Sequence, residues 1–300
     1  MNIYDIIIIG GGPAGLTASI YALRANKKVL VLEKSTFGGQ ITSSPKVENI
    51  PGFVCVSGNE FAQKLMDQAI SLGAEIECSE VINVISSDIK TVVTDDGDFY
   101  ARSVIIATGT KHRMLGLENE EDFVGNGISF CAVCDGAFYE GKTVAVIGGG
   151  NSALQEAVLL SETSEKVYII QNLDFLTGEN KLQEILSKKG NVEIIYNTTV
   201  SELIGDDEIS AIRLKSPEKE SVLNVDGVFV AIGLIPQNEI FKDLITLDNY
   251  GYVLSGEECT TNVDGVFVAG DCRTKNVRQV ATAASDGAIA ALNACRYLDQ

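Results

Sequence analysis

Long apolar runs are missing from this sequence, and basic residues are few. No stretch approaches the ~20 apolar residues of a membrane-spanning helix. The short apolar run at residues 6–9 has no basic lead-in and leads directly into glycines, so it predicts a buried strand rather than a signal peptide. The net charge of −18 argues against general binding to nucleic acid or to an anionic membrane. These absences predict a cytoplasmic protein.

Histidine is also scarce, and this bears on metal binding. A zinc site needs four ligands, often supplied as two pairs, whereas this sequence has one closely spaced cysteine pair and a single histidine, His112. We therefore predict no metal site. Five of the seven cysteines stand alone and are expected to be reduced core residues: Cys55, Cys78, Cys259, Cys272 and Cys295.

A duplication organises the 300 residues, a length that suggests about two domains. An apolar strand, a glycine-rich turn and a helix occur around residues 10–15 and again around residues 148–153. Each copy closes with a similar apolar segment, at 103–109 and at 227–233. The repeat predicts an α/β protein with two Rossmann-like, three-layer nucleotide-binding domains.

A third apolar segment, at residues 265–271, has no glycine-rich turn before it. The simplest arrangement returns this segment to the first domain, so that the second domain is inserted within the first. We therefore predict a discontinuous domain of residues 1–112 and 244–300 and an inserted domain of residues 113–243.

The first glycine-rich turn has the full context of a dinucleotide-binding fingerprint. Gly10, Gly12 and Gly15 fit the roles of tight turn, close approach to a pyrophosphate, and packing of the helix on the strand. The helix N-terminus that follows favours phosphate binding. Glu33 stands 18 residues after Gly15, where a carboxylate can accept hydrogen bonds from the hydroxyls of an adenosine ribose.

The second turn, residues 148–153, lacks a residue that would select a nicotinamide cofactor. Gln171 stands 18 residues after Ala153, and the stretch 171–177 contains no Arg, Lys or His. At this place an unmodified ribose is normally bound by an acid and a 2′-phosphate by a cation. Two interpretations remain open: a weak or unusual nicotinamide site, and a fold that persists without useful binding of this ligand.

Cys131 and Cys134 form a Cys-x-x-Cys motif between the two turns, and Asp135 follows directly. Such a motif is either half of a zinc site or a redox pair, and the missing ligands favour the redox pair. One thiol of such a pair has a lowered pKa, so that a thiolate is available to attack a disulfide. Asp135 either exchanges a proton with the departing sulfur or is a turn residue before Gly136.

Several motifs, in one order along essentially the whole chain, resemble those of the low-molecular-weight thioredoxin reductases. Besides the two glycine-rich turns and Cys-x-x-Cys-Asp-Gly, the matching stretches are 38–40, 47–52, 107–109, 270–271 and 278–283. The resemblance implies a glutathione-reductase-like fold and an enzyme that reduces the disulfide of thioredoxin. It also implies a homodimer.

The resemblance further implies FAD in the discontinuous domain, with Asp271 bonded to its ribityl chain. Cys131 and Cys134 would form the active disulfide on the inserted domain, with Cys134 nearer the flavin and Asp135 as general acid. The residues implied to contact FAD are Gly10, Gly12, Pro13, Ala14, Gly15, Glu33, Gly39, Gln40, Asn49, Val81, Ala107, Thr108, Gly109, Gly270, Asp271, Arg278, Gln279, Val280 and Ala281.

One departure from the family pattern concerns the electron donor. NADPH-dependent members carry a His-Arg-Arg run and a further Arg, and the aligned residues here are Gln171, Asn172, Leu173 and Thr177. In this respect the sequence is similar to the ferredoxin-dependent flavin thioredoxin reductases, so reduced ferredoxin is the expected donor.

An acidic ferredoxin would need a local basic surface on this acidic chain. The candidate groups are Lys27 with Lys28, Lys111 with Arg113, and Arg273 with Lys275 and Arg278. Each group could equally consist of ordinary solvated charges.

Other functions remain compatible with the same motifs. An NAD(P)H-dependent thioredoxin reductase would use an atypical nicotinamide site. An FAD-dependent dithiol oxidase would pass electrons from a small dithiol through Cys131 and Cys134 to oxygen. A flavin-binding or redox-sensing protein without turnover is the non-enzymatic alternative.

Overall fold

The structure, a computed structural model, describes residues 2–44 and 46–300. It consists of two compact units, one formed by residues 1–111 and 235–300 and the other by residues 112–234. The chain returns to the first unit after Leu234, earlier than the expected boundary at 243. The reason is that Phe241 is fully buried in a core cluster of the first unit.

The helices and strands follow one another in chain order. Up to the first crossing they are β1 (Ile3–Ile9), α1 (Pro13–Arg24), β2 (Val29–Glu33), α2 (Gly58–Ser71), β3 (Glu75–Cys78), β4 (Val81–Ile85), β5 (Lys90–Thr94), β6 (Gly97–Ile106) and β7 (Thr110–His112). The inserted part contains β8 (Ile128–Ser129), α3 (Ala132–Asp135), β9 (Thr143–Ile147), α4 (Asn151–Leu160), β10 (Lys166–Ile170), α5 (Asn180–Ser187), β11 (Val192–Ile195), β12 (Thr199–Gly205), β13 (Ile209–Lys215), β14 (Glu220–Asn224) and β15 (Gly227–Val230). After it come β16 (Leu234–Pro236), β17 (Val266–Val268) and α6 (Val280–Leu298).

The sheet of the first unit has a parallel core in the order β3-β2-β1-β6. The second half of β6 also pairs in parallel with β17, and β5 and β4 continue the sheet as antiparallel strands. The carboxyl ends of parallel strands lie at one edge of a sheet. The loops that follow β1, β2, β6 and β17 therefore meet at that edge.

Both faces of this sheet are buried, as its near-continuous Ile and Val strands predict. Ile6 and Ile8 belong to one cluster together with apolar residues of α1 and α6. Ile7 and Ile9 belong to another cluster on the opposite face, which includes Phe241. The alternation of side chains along β1 thus anchors helices on one face and the returning chain on the other.

The second unit has three layers. Its sheet is parallel throughout, in the order β11-β10-β9-β15-β8. Val144 and Val146 of β9 pack with α4 and α5, whereas Ala145 and Ile147 pack with the antiparallel sheet β12-β13-β14. The prediction of an α/β protein with two Rossmann-like domains, the second inserted in the first, is confirmed.

No helix within residues 2–44 and 46–300 is long and apolar enough to cross a membrane.

Candidate active site

The first glycine-rich turn brings backbone segments of the first unit into close contact. A Cβ on Gly10, whose φ is 113°, would lie 2.3 Å from the carbonyl oxygen of Ala107, and a Cβ on Gly15 would lie 1.9 Å from that of Gly10. Only glycine fits at both positions. At Gly12 the nearest atom to such a Cβ is the Gly38 carbonyl oxygen at 3.9 Å. This side of the turn, at the N-terminus of α1, is therefore open to an approaching phosphate.

The Glu33 carboxylate is held beside this turn at the end of β2. Its Oε2 accepts a hydrogen bond from the Gly11 N–H at 2.8 Å. Its Oε1 accepts hydrogen bonds from the N–H and the hydroxyl of Ser35 at 3.0 and 3.2 Å. A carboxylate has about four lone-pair sites, so Glu33 retains capacity for a further donor such as a ribose hydroxyl.

Asp271 presents an unsatisfied oxygen after β17. Within the described residues its buried Oδ1 has no hydrogen-bond partner. Burial raises the pKa of the Asp271 carboxyl, although Lys275 and Arg278 oppose this effect. Buried polar atoms without a partner are rare in folded proteins. The atom fits a bound group that donates a hydrogen bond, as a ribityl hydroxyl of FAD would.

Asp286 of α6 holds the chain on both sides of Asp271. Its Oδ2 accepts hydrogen bonds from the Gly270 N–H at 3.1 Å and from Lys275 at 2.8 Å. Arg273 binds the carboxylate in bidentate fashion, with both N–O distances 3.0 Å. Sequence reasoning missed this residue, because nothing in the local pattern of α6 indicates a buried ion pair.

The Asp286 cluster corrects the prediction of a basic docking surface at Arg273, Lys275 and Arg278. The side chains of Arg273 and Lys275 are only 10% and 8% exposed, and both bind Asp286. The Arg278 guanidinium lies 4.3 Å above the ring of Tyr252. Arg273 and Lys275 are therefore not available to a partner protein.

Other residues predicted to contact FAD lie in the first unit, where hydrogen bonds hold their side chains. Gln40 donates hydrogen bonds to the carbonyl oxygen and the hydroxyl of Thr110. Asn49 Nδ2 donates to Gln279 Oε1 at 3.2 Å, and Gln279 caps the N-terminus of α6, where Val280 and Ala281 begin the helix.

Pro13 and Ala14 begin α1, Gly39 lies in the turn after β2, and Ala107, Thr108 and Gly109 follow β6. Thr108 lies after β6, between Ala107 and Gly109, and its hydroxyl donates to Asn238 Oδ1 at 3.1 Å. Val81 begins β4 and is buried in the core cluster that contains Val84 and Val92.

The second unit carries the dithiol on one helical turn, α3. Cys131 and Cys134 form a disulfide, with a Cα–Cα distance of 5.3 Å. Cys131 is the N-cap of α3, and its sulfur accepts a hydrogen bond from the Cys134 N–H at 3.2 Å. After reduction this N–H would favour the thiolate form of Cys131.

Asp135 ends α3 and is bonded to the same segment. Its Oδ2 accepts a hydrogen bond from the Ser129 hydroxyl at 2.6 Å, and Ser129 Oγ accepts one from the Cys131 N–H at 3.1 Å. Burial raises the pKa of the Asp135 carboxyl, and the bond from Ser129 offsets this only in part. A carboxyl with a raised pKa beside a dithiol is suited to exchange a proton with a departing sulfur.

The second glycine-rich turn resembles the first in its backbone, but a different side chain packs beside it. Gln171 is 4% exposed, and its Nε2 donates a hydrogen bond to the Phe175 carbonyl oxygen at 3.0 Å. A Cβ on Gly149 would come within 2.5 Å of the Gln171 amide. A neutral amide, already hydrogen-bonded, thus lies beside the second turn, whereas a carboxylate lies beside the first.

The isolated cysteines divide into two groups. Cys259, Cys272 and Cys295 are buried, as predicted, but Cys55 and Cys78 are exposed. Cys78 is exposed because it ends β3 at the edge of the sheet. In residues 2–44 and 46–300 no group of three or more His, Cys, Asp and Glu side chains could hold a metal ion.

Comparison with known proteins gives matches along the whole chain. Residues 4–287 match the family described as pyridine nucleotide-disulphide oxidoreductase. Thioredoxin reductase of Listeria innocua is 41% identical over 303 residues, covering 100% of this chain and 95% of that protein. A 34.2 kDa protein in rubredoxin operon of Clostridium pasteurianum is 43% identical over 298 residues, covering 98% and 97%. The crystal structure of thioredoxin reductase from Streptococcus pyogenes superposes with a TM-score of 0.94 at 36% identity, covering 99% and 98%.

Proposed function

The chain belongs to the pyridine nucleotide-disulphide oxidoreductase family, and we propose that it is a thioredoxin-disulfide reductase that takes electrons from reduced ferredoxin. Members of this family related to thioredoxin reductase are FAD-binding flavoproteins, and this chain has the redox disulfide Cys131–Cys134. The observation that carries the reductase activity is this disulfide beside the buried carboxyl of Asp135.

FAD is assigned to the first unit. The open side of Gly12 would receive its pyrophosphate, Glu33 its adenosine ribose, and the unpaired Oδ1 of Asp271 its ribityl chain. When bound, FAD would supply the two electrons needed to reduce the disulfide, and a flavin is able to accept electrons one at a time.

Cys131 is assigned as the thiol that attacks thioredoxin. The Cys134 N–H favours the thiolate form of Cys131. This thiolate displaces one sulfur of the thioredoxin disulfide and forms a mixed disulfide with the other. Asp135 gives a proton to the departing thioredoxin sulfur. Cys134 then attacks Cys131, which restores the enzyme disulfide and releases thioredoxin as a dithiol. The Cys134 thiol proton goes to the second thioredoxin sulfur, so thioredoxin receives two electrons from the enzyme dithiol, one proton from Asp135 and one from Cys134.

The donor assignment rests on the second glycine-rich turn. Gln171 is neutral and buried, and no cation occurs between 171 and 177 to hold a 2′-phosphate. Ferredoxin delivers single electrons, which a flavin collects in pairs. The Clostridium pasteurianum relative is described as a protein in a rubredoxin operon. Lys111 of the first unit and Arg113 of the second are both exposed, and each remains a candidate contact for ferredoxin.

Anaerobic mixing of the holoenzyme with each donor tests this proposal. We expect reduced ferredoxin to bleach the flavin absorbance and to support thioredoxin reduction, and we expect NADPH and NADH to do neither. Rapid bleaching by NADPH or NADH would instead establish an atypical nicotinamide site.

A gain-of-function variant sharpens this test. Gln171→His, Asn172→Arg, Leu173→Arg and Thr177→Arg together place cations at the positions where the NADPH-dependent members have them. This variant should acquire bleaching by NADPH and keep its reduction by ferredoxin. If it is reduced by neither donor while its FAD content is normal, the donor assignment loses its support.

NADPH- or NADH-dependent reduction is the second candidate. It is favoured by the family description and by the intact second turn, in which Gly148 has a φ of 129° and α4 begins directly after Gly150. The donor experiment separates the two candidates.

Asp271→Ala is expected to weaken FAD binding about ten- to a hundredfold, because one charge-assisted hydrogen bond contributes ~1.5–3 kcal/mol. The dissociation constant of FAD from the reconstituted apoprotein measures the effect. Asp264→Ala, an exposed change shortly before β17, is the matched control and should leave the constant unchanged. Equal affinities for the two variants would exclude Asp271 from the FAD site.

The homodimer that the resemblance implies and the cytoplasmic location that the sequence predicts remain proposals. Sedimentation equilibrium of the holoenzyme would test the homodimer, and a constant mass of one chain across micromolar concentrations would exclude it.

A further inference from the structure

Glu156 lies in α4, on the side of the helix that packs against α3. Ala153 and Leu160 of α4 share a buried cluster with Ala132 of α3. Glu156 stands three residues after Ala153 and four before Leu160, so helical periodicity places it beside both. The charge of Asp135, which ends α3, also acts on the Glu156 carboxyl, so the two groups lie near each other.

Two carboxyl oxygens in this region are buried without a hydrogen-bond partner among the described residues. They are Glu156 Oε2 and Asp135 Oδ1. Within residues 2–44 and 46–300, the only other buried side-chain oxygen or nitrogen without such a partner is Asp271 Oδ1 of the first unit. Burial, followed by the nearby charge of Asp135, raises the pKa of Glu156 to about 8. A buried carboxyl without a partner is stable in its neutral form. Glu156 is therefore protonated at neutral pH.

We propose that Glu156 is a proton-relay residue that resupplies Asp135 during thiol–disulfide exchange. The transfer would occur directly or through one water bound between the two unpaired oxygens. This inference rests on the general-acid role assigned to Asp135 under the proposed function, and it extends the dithiol site by one residue on a different helix.

The relay completes the proton balance of disulfide reduction. Breaking the Cys131–Cys134 bond takes two electrons, supplied by FAD, and two protons, and gives two thiols. Asp135 gives one proton to Cys134, Glu156 then protonates Asp135, and solvent protonates Glu156. The second proton reaches Cys131 from solvent. When thioredoxin is reduced, the proton that Asp135 gives to the departing thioredoxin sulfur is replaced by the same route.

The other titratable groups near this pair are few. Tyr139 follows α3, and its pKa is raised to about 12 by burial, by Asp135, and by Glu208 and Asp226, so it stays neutral over the range of interest. Besides burial, the charge on Asp135 raises the pKa of Glu156. A titration near pH 8 therefore reports on Glu156, apart from the thiols themselves.

Glu156→Gln tests the relay, because glutamine has the shape of the neutral carboxyl but no proton to transfer. The holoenzyme dithiol is first formed chemically with a small dithiol and then mixed with oxidised thioredoxin. Acid quenching, alkylation and mass spectrometry give the exchange rate without any electron donor. We expect the wild-type protein to react about tenfold faster than the variant below pH 8. The ratio of the wild-type rate to the variant rate should fall toward one as the pH rises through about 8, where Glu156 loses its proton.

Two controls distinguish a relay from a structural role. Glu184→Gln makes the same substitution at an exposed position of α5 and should leave the ratio of the two exchange rates at one. A ratio of one for Glu156→Gln at every pH, or a ratio that does not change with pH, would overturn the relay. Asp135→Asn is measured in the same way, and a normal rate for it would mean that the general-acid assignment has failed instead.

Thermal unfolding provides a readout that is independent of exchange. The pKa of Glu156 is raised in the folded protein from an ordinary value of 4.5 to about 8, so the folded state binds the proton more tightly. Stability from this group is therefore full at low pH and is lost as the pH rises toward 8. Glu156→Gln should accordingly gain in Tm relative to the wild type as the pH rises, and no such gain would contradict a buried neutral carboxyl.

Discussion

Replacing Cys134 by Ser is expected to lower the rate of thioredoxin reduction by about three orders of magnitude or more, while FAD stays bound. A hydroxyl cannot form the disulfide that Cys134 makes with Cys131. The substitution lies in the second unit, whereas the residues assigned to FAD lie in the first unit. Steady-state assays with the competent donor and the flavin absorbance of the purified variant measure the two effects separately.

Replacing each of the two cysteines by Ser is expected to block thioredoxin reduction at a different step. Cys134→Ser leaves the Cys131 thiol, which can attack thioredoxin but cannot be released, so a mixed disulfide should accumulate. Cys131→Ser should not trap thioredoxin. Mass spectrometry under non-reducing conditions after incubation with oxidised thioredoxin distinguishes these outcomes, and Cys55→Ser, at an exposed isolated cysteine, is the matched control. Trapping by Cys131→Ser alone would reverse the assigned roles, and normal turnover of both variants would remove the dithiol from catalysis.

The fold was predictable because its signals are local and repeated. Each copy has an apolar strand that ends in a glycine-rich turn, and close backbone contacts at Gly10 and Gly15 allow no side chain there. Such steric requirements leave a fixed spacing in the sequence. The same spacing identifies Gln171 as the counterpart of Glu33, and its buried amide packs against the second turn.

What escaped prediction depends on contacts between distant elements. The second domain boundary was misplaced because the burial of Phe241 depends on packing against the first unit. The sequence predicts a candidate docking surface at Arg273 and Lys275 because it does not show that Asp286, more than ten residues away, binds both. For Glu156 a signal was available: an acid beside Ala153 and Leu160 in an otherwise apolar helix face.

Asp286→Ala is expected to destabilise the first unit by about 3–5 kcal/mol, because it leaves two buried cations without their partner. Arg273 would lose its bidentate ion pair, Lys275 its hydrogen bond and the Gly270 N–H its acceptor. The chain around Asp271 would lose its anchor at the same time, so FAD binding should weaken as well. Urea unfolding at neutral pH and the FAD dissociation constant measure the two losses.

The comparison with Asp299→Ala tests whether burial is the cause. Asp299 also binds a cation, Lys27, but its side chain is 65% exposed, so its loss should change stability by less than about 1 kcal/mol. The loss of stability caused by Asp286→Ala should also depend on pH. Burial alone would raise the pKa of Asp286, but the hydrogen bonds from Arg273 and Lys275 outweigh the effect of burial and hold this pKa below its ordinary value of 3.8. The stability that Asp286 contributes is therefore present above pH 3.8 and is lost as the pH falls through the lower folded-state pKa. The difference between wild type and Asp286→Ala should shrink in acid, and equal losses for the two variants would mean that burial does not govern this ion pair.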